Sequence, residues 1–261
     1  MIESSSNVQI KHIQKLKKSA RYRKKNQSFL VEGWKMVHEA LKCGLVQQIY
    51  LSASAGTTEM AKEVQKHQTV EFVSAKLFAD ISDTKTPQGI LAVVTMPEYK
   101  IEDYIEKSDV SFLCLEAIND PGNLGTMIRT AEGAGMTGVI LSKDSVDLFH
   151  PKVVRATMGS MFRVPFFVTD EFVDFMHLLQ KKKFKLYAAH LNGTSSYTEV
   201  SYQGKIGILI GNEANGLTDE VAETADWKVK IPMKGELESL NASVSAALFM
   251  YEMLRRKEER K

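Results

Sequence analysis

Cysteine is scarce in this chain of 261 residues. The two present, Cys43 and Cys114, lie in apolar contexts with no CxxC or Cys/His partner. That excludes a disulfide framework and points to buried thiols in a reducing compartment. The six histidines, at 12, 38, 67, 150, 177 and 190, lack metal-ligand spacing, so no metal is expected. No apolar run approaches the ~20 residues that cross a bilayer. The start, MIESSSNVQIKHIQ, has no signal-peptide apolar region. A cytoplasmic protein without a membrane partner is therefore expected. A Walker A sequence is missing, which removes P-loop NTPases, and no Ser-His-Asp or Cys-His arrangement stands out. Excess charge of one sign is missing too: the net charge is +2 with 25% charged residues, so the chain is neither disordered nor a basic nucleic-acid coat.

The charge is nevertheless unevenly placed. KHIQKLKKSARYRKKNQ (11–27) carries eight Lys or Arg and no acid. One reading is a solvated helix face. The other is a phosphate-tracking arm, in which Lys11, Lys15, Lys18, Arg21, Arg23 and Lys24 displace counterions from a nucleic acid. Tyr22 lies among them as a candidate for stacking on a base.

The hydrophobic pattern alternates between strand and helix along the chain, which predicts an α/β protein with a mostly parallel sheet. FLVEGWKMVHEALKCG reads as a helix, with Trp34, Val37 and Leu41 on one stripe and Gly44 as its left-handed cap. Strands and helices then alternate to GILAVVTM (89–96), which closes a first domain over 1–96. PEYKIEDYIEKSD (97–109) is polar, begins with Pro and reads as a linker. A second domain, 110–261, opens with the continuous apolar run VSFLCLEAI, the density of a parallel strand covered on both faces.

One glycine pattern is a decoy. Gly133, Gly135 and Gly138 spell GxGxxG, but the run follows a helix and precedes the strand GVILS, the reverse of a dinucleotide site. A nicotinamide enzyme is disfavoured on that ground.

Three other stretches crowd polar groups where strands leave the sheet, the place where open α/β sheets bind ligands. NDPGNLGTMIRTAEGAG (119–135) enters a helix at Asn123, read as its cap; Leu124, Met127, Ile128, Ala131 and Ala134 form the buried stripe and leave Arg129 on the polar side. IGNEANGL (210–217) places Asn212, Glu213 and Asn215 between glycines, as either an ordinary turn or a ligand cradle. IPMKGELESLNASVSAALFMYEM (231–253) begins a helix with Ser239, Asn241, Ser243 and Ser245. There Leu240, Val244, Ala247, Leu248, Tyr251 and Leu254 are read as the core stripe.

In this order and spacing, the three stretches resemble the three motifs of the SpoU/TrmH family of RNA ribose 2′-O-methyltransferases, within the SPOUT class. FLVEGWKMVHEAL and TPQGILAVV also resemble that family's L30e-like substrate-binding domain. The resemblance implies a deep trefoil knot in the catalytic domain, S-adenosylmethionine as methyl donor, RNA as substrate and a homodimer through the catalytic domain. Carried over to this sequence, Asn123, Arg129, Glu213, Ser239 and Asn241 match the catalytic positions. Leu209, Ile210, Gly211, Glu213, Ile231, Met233, Leu240 and Asn241 match those around the donor. Glu213 is expected as an orienting acceptor near the reacting end. Arg129 is expected either as a general base or as a clamp on the neighbouring phosphate. The clamp is preferred, because a guanidinium holds its proton. Ribosomal RNA is the expected substrate. The alternatives are transfer RNA and a non-catalytic RNA-binding or ribosome-assembly factor.

Overall fold

The computed structural model describes residues 1–67 and 69–259. In chain order the first elements are α1 (Val8–Lys18), α2 (Ala20–Asn26), β1 (Ser28–Glu32), α3 (Trp34–Lys42) and β2 (Val46–Ser52). Then come α4 (Glu59–His67), β3 (Val70–Val73), α5 (Ala75–Ile81), β4 (Ile90–Thr95), α6 (Glu102–Ile105), β5 (Ser111–Leu115), α7 (Pro121–Gly133) and β6 (Gly138–Ser142). The remainder are α8 (Pro151–Ala156), a 3-10 turn (Ser160–Phe162), β7 (Phe166–Thr169), α9 (Phe172–Lys181), β8 (Lys185–Ala189), β9 (Ser195–Ser196), β10 (Ile206–Ile210), α10 (Asp219–Glu223), β11 (Trp227–Lys230) and α11 (Ala242–Glu258).

Two compact units result. Unit one comprises Met1–Glu98 with Asp147–Phe162, and unit two Tyr99–Val146 with Arg163–Lys261.

Unit one is built on a four-stranded sheet in the order β1-β4-β2-β3, with β4 antiparallel to both its neighbours. The expected helix over FLVEGWKMVHEALKCG is corrected here. Phe29, Leu30 and Val31 are buried in β1, Gly33 turns the chain at φ +94°, and only Trp34–Lys42 is helical. A run of apolar residues buried on both faces suits a strand, and the positive φ favours glycine at the break. The N-terminal basic segment is not a free arm: Ile10, Ile13 and Leu16 of α1 are fully buried beside Tyr50, Leu77 and Phe78. Segment Asp147–Phe162, placed by the sequence within the second domain, contributes Val154, Met161 and Phe162 to the core around Phe29 and Val37.

Unit two holds a seven-stranded sheet in the order β7-β6-β5-β10-β8-β11-β9, every pairing parallel. Strands β5, β6 and β10 are buried along their whole length, as their continuous apolar runs require. The segment read as a linker is packed: Ile105 is buried in the unit-two core, with Tyr99, Ile101 and Tyr104 against it. GxGxxG lies where α7 ends, with Gly135 at φ +67° just before β6.

Helices α7 and α11 pack together. The buried stripe of α7 is Leu124, Met127, Ile128 and Ala131. That of α11 is corrected: Ala246, Phe249, Met250 and Met253 are buried, whereas Val244 is 47% and Tyr251 50% exposed. Leu240, Ala247, Leu248 and Leu254 are half-buried. Both stripes keep helical spacing, so periodicity alone does not choose between them.

Candidate functional site

All three motif stretches belong to unit two, and backbone and side-chain hydrogen bonds join them at the carboxyl ends of β5 and β10. After β5 the chain passes through Glu116 and Ala117, the latter at φ +50°, before α7 begins at Pro121. The helix cap is Asp120, which accepts from the Asn123 N–H at 2.7 Å, with Pro at the first helical position. Asn123 is therefore inside the first turn rather than the cap. That leaves its side-chain amide free for other partners.

Those partners come from the other two stretches. Asn123 Nδ2 donates to Glu213 Oε1 at 3.0 Å, and Asn123 Oδ1 accepts from Asn241 Nδ2 at 3.0 Å. Asn241 Oδ1 in turn accepts from the Ser243 N–H at 2.9 Å and hydroxyl at 2.7 Å, capping α11. The Glu213 carboxylate also accepts from the N–H groups of Asn119 and Asp120, each at 3.1 Å. Partial burial pushes its pKa up. The Asn123 amide and the backbone N–H groups, chiefly that of Asn119, outweigh that effect and hold it below the usual carboxylate range.

The 211–217 loop folds back on itself. Asn212 and Gly216 exchange two backbone hydrogen bonds of 2.9 Å, and a Cβ built on Gly211 would lie 2.1 Å from Gly216 C and Leu217 N. Glycine at 211 is thus required by a close backbone approach. Asn212 anchors the loop through its amide to Ala117 O at 2.8 Å, and its Oδ1 accepts from the N–H groups of Ala214 and Asn215. Glu116, only 8% exposed, accepts from both the N–H and the hydroxyl of Thr218 at 2.9 and 2.7 Å.

Asp120 and Glu116 are not among the expected site residues, and Asn212, noted only within a turn or cradle, has no assigned role. The Asp-Pro pair at 120–121 carries a sequence signal for the cap. Asn212 carries one as an amide flanked by Gly211. Glu116 offers only a lone carboxylate at the end of an apolar run.

The remaining expected residues are placed as follows. Arg129 is exposed on α7 and has no hydrogen-bond or ionic partner among the described residues. Ser239 is exposed and likewise without a partner. Ile231, Met233 and Leu240 are half-buried in the segment joining β11 to α11. Leu209 is fully buried in the core beside Cys114 and Leu186, and Ile210 is 3% exposed. Their side chains are core, so what they can offer a ligand is backbone.

In unit one, Lys11, Lys15, Lys18, Arg21 and Lys24 are exposed. Arg23 is the exception. It is 2% exposed, donates Nε to Asp147 Oδ2 at 2.9 Å and Nη1 to Leu16 O at 2.6 Å, and Nη2 also pairs with Asp147. A buried, fully engaged guanidinium is a structural tie and is withdrawn from the RNA-contacting set. Tyr22 is half-buried, its hydroxyl 2.9 Å from His12 Nδ1.

Among the described residues no group of three or more His, Cys, Asp or Glu could hold a metal ion, and no helix is long and apolar enough to cross a membrane.

Residues 111–251 match the model of the SpoU rRNA methylase family, and residues 7–92 that of an MRM3-like substrate-binding domain. The chain is 33% identical to the 23S rRNA (guanosine(2553)-2′-O)-methyltransferase RlmP of Bacillus subtilis, over 97% of this chain and 98% of that protein. Among solved structures it is similar to the SpoU methyltransferase AviRb of Streptomyces viridochromogenes in complex with AdoMet. The TM-score is 0.88 at 25% identity, covering 97% of this chain and 98% of that one. An AdoMet-bound rRNA methyltransferase from Sinorhizobium meliloti gives a TM-score of 0.85 at 31% identity, covering 97% of each chain. With motifs joined by hydrogen bonds at the strand ends and a family match over more than half its length, this chain belongs to the SpoU rRNA methylase family.

Proposed function

We propose that this protein transfers a methyl group from S-adenosylmethionine to a ribose 2′-hydroxyl of 23S ribosomal RNA. The observation that carries the reading is Asn123, which takes Glu213 on one side of its amide and Asn241 on the other, so that one residue ties the three motifs together. The similarity to RlmP favours 23S RNA over transfer RNA.

The residues suit the donor. The loop closed at Gly211 presents backbone N–H and C=O groups where a Cβ has no room, and the half-buried Ile231, Met233 and Leu240 supply apolar surface for an adenine. S-adenosylmethionine, when bound, supplies a methyl group on a positively charged sulfonium. The protein's own task is alignment and management of one proton, and alignment alone accounts for much of such an acceleration. Asn123, Glu213 and Asn241 fix the loops that border the donor. Arg129, exposed and unengaged, is free to clamp the phosphate beside the target ribose and to stabilise the developing alkoxide. Ser239 stands in the same loop as an uncommitted hydroxyl.

In this reading residues 1–96, joined by Asp147–Phe162, form the RNA-binding domain, 97–109 the connection and the rest of 110–261 the catalytic domain with a trefoil-knotted chain. RNA contacts run through Lys11, Lys15, Lys18, Arg21 and Lys24. The protein acts in the cytoplasm as a homodimer through the catalytic domain. The exposed Val244 and Tyr251, with half-buried Ala247, Leu248 and Leu254, provide an apolar stripe on α11 for the second copy.

The test is methyl transfer from tritiated S-adenosylmethionine to ribosomal and transfer RNA fractions from cells lacking the protein. Label in 23S RNA at a single alkali-resistant linkage is expected. Label confined to transfer RNA would overturn the substrate, and donor binding without label in either fraction would favour a non-catalytic RNA-binding factor.

A further inference from the structure

We propose that unit one carries a nucleotide pocket of its own, which takes one unstacked nucleotide of the RNA substrate. The inference rests on the RNA-methyltransferase reading above and locates a contact that the motifs of unit two do not include.

A cavity of about 240 Å³ opens in unit one between the β1–α3 turn, the loop before β4 and the end of α8. Its polar lining combines engaged groups with three donors that have no partner among the described residues, on Lys35, Thr86 and Gln88. Lys35 is exposed and unpaired among the described residues, as is the Thr86 hydroxyl. Gln88 uses its carbonyl oxygen to accept the Trp34 N–H at 2.9 Å, and its amide nitrogen has no acceptor among the described residues. Arg155 donates Nη1 to Asp83 Oδ2 at 2.8 Å and to Asp83 O at 3.4 Å, which leaves Nε and Nη2 without a partner among the described residues. The one carboxylate in the lining, Glu32, has both oxygens occupied: Oε2 accepts from the Asp83 N–H at 2.8 Å, and Oε1 from the hydroxyls of Thr84, at 2.7 Å, and Ser82.

The rest of the lining is apolar. Met36 is buried, while Met158 is 38% exposed and stands in the left-handed region at φ +52°. A bulky side chain rarely takes that conformation. Here it holds a thioether at the mouth of the cavity instead of in the core.

This combination fits one nucleotide. Two cations and a hydroxyl suit a phosphate, an amide donor suits an acceptor on a base edge, and polarisable thioethers suit contact with a base face. Sequence-specific RNA recognition uses such unstacked, edge-read bases. The volume lies below the roughly 300–1,000 Å³ of sites that enclose a whole drug-sized ligand, so it matches a single base or phosphate rather than a folded helix.

Two variants separate the components. Lys35→Ala removes an exposed cation. Gln88→Glu keeps an acceptor for the Trp34 N–H and removes the free amide donor. Binding of a radiolabelled 23S RNA transcript is measured against salt, together with donor affinity and thermal stability. Each variant is expected to weaken RNA binding about 10-fold with donor affinity unchanged, and Lys35→Ala to lower the salt slope by about one. A 4-thiouridine transcript should crosslink to peptides containing Lys35 or Met158. RNA affinity kept by both variants, with no such crosslink, would overturn the pocket while leaving the function intact. Saturation of the cavity by free mononucleotides without RNA crosslinking would overturn RNA as the source of the nucleotide. Failure of the unaltered protein to bind or methylate RNA would overturn the function itself.

Discussion

The side-chain amide of Asn123 donates to Glu213 Oε1 at 3.0 Å across 90 residues of sequence. It can do so because Asp120 has already satisfied the Asn123 N–H as helix cap. The same side chain's oxygen holds Asn241, so removing it unties Glu213 and the start of α11 together. Asn123→Ala should lower donor affinity about 10-fold, since one hydrogen bond to a charged group contributes roughly 1.5–3 kcal/mol and part is recovered from water. Asn123→Asp should do worse, because it sets a second carboxylate beside Glu213. Calorimetry of donor binding checks both, and equal affinities for Ala, Asp and the natural residue would remove the bridge from the mechanism.

Glu213 makes a prediction about acid. Its folded pKa lies below its ordinary value, so its hydrogen bonds add stability above the unfolded carboxylate pKa, roughly 4.3, and that contribution disappears as pH falls through the lower folded value. Glu213→Gln keeps an acceptor but no charge. The unaltered protein should melt about 1–2 °C above this variant at pH 7, a small margin for an exposed group, and the difference should shrink as the carboxylate is protonated in acid. A difference that grew on acidification would contradict the sign.

These two residues also show how far the sequence can be read. The family resemblance named Asn123, Glu213 and Asn241, and they meet in one hydrogen-bonded chain because strand-end loops of a parallel sheet gather on one edge. The cap of α7 is misread at Asn123: Asp120 and Asn123 both have capping chemistry, but Pro121 favours the first helical position and so marks Asp120, which the folded chain uses. The face of α11 was misread for a related reason, since Leu248 and Phe249 each extend a valid helical stripe. Charge pattern could not tell Arg23 from Lys24, because burial beside Asp147 depends on a segment 124 residues away. Leu209 matches a donor-side position, yet a strand buried on both faces keeps its side chain in the core and leaves only its backbone for a ligand.

Gly211 offers a steric test with an internal control. A methyl group at Gly211 would sit 2.1 Å from the Gly216–Leu217 peptide, whereas at Gly216, with φ +73°, nothing lies within 4 Å of it. Gly211→Ala should therefore cost about 1–3 kcal/mol of overpacking and lower donor affinity at least 10-fold. Gly216→Ala should show only the backbone penalty of about 1–2 kcal/mol, with donor affinity nearly kept. Denaturant melts and calorimetry separate them, and identical behaviour would argue against a tightly closed loop.

Arg129 bears on the chemical step. With no protein partner among the described residues, its loss should not disturb the fold. Arg129→Ala should keep the melting temperature and hold RNA affinity within a few-fold while lowering the single-turnover rate about 100-fold or more. Arg129→Lys should recover little, because an ammonium cannot grip a phosphate in two places. Near-normal turnover by Arg129→Ala would rule out both clamp and base.

Arg23 and Lys24 are neighbours in one basic run with opposite expected phenotypes. Arg23 is buried, bonded to Asp147 and to the Leu16 carbonyl; Lys24 is exposed. Arg23→Ala leaves Asp147 and two carbonyls without their donor and should destabilise unit one by about 3 kcal/mol. Lys24→Ala should leave stability within about 0.5 kcal/mol. In RNA binding the order reverses: Lys24→Ala should lower the slope of log affinity against log salt by about one, and Arg23→Ala, assayed well below its melting temperature, should leave it unchanged. Equal salt slopes for Lys24→Ala and the unaltered protein would remove α2 from the RNA-binding surface. A lowered slope for Arg23→Ala would mean that its guanidinium reaches the RNA after all.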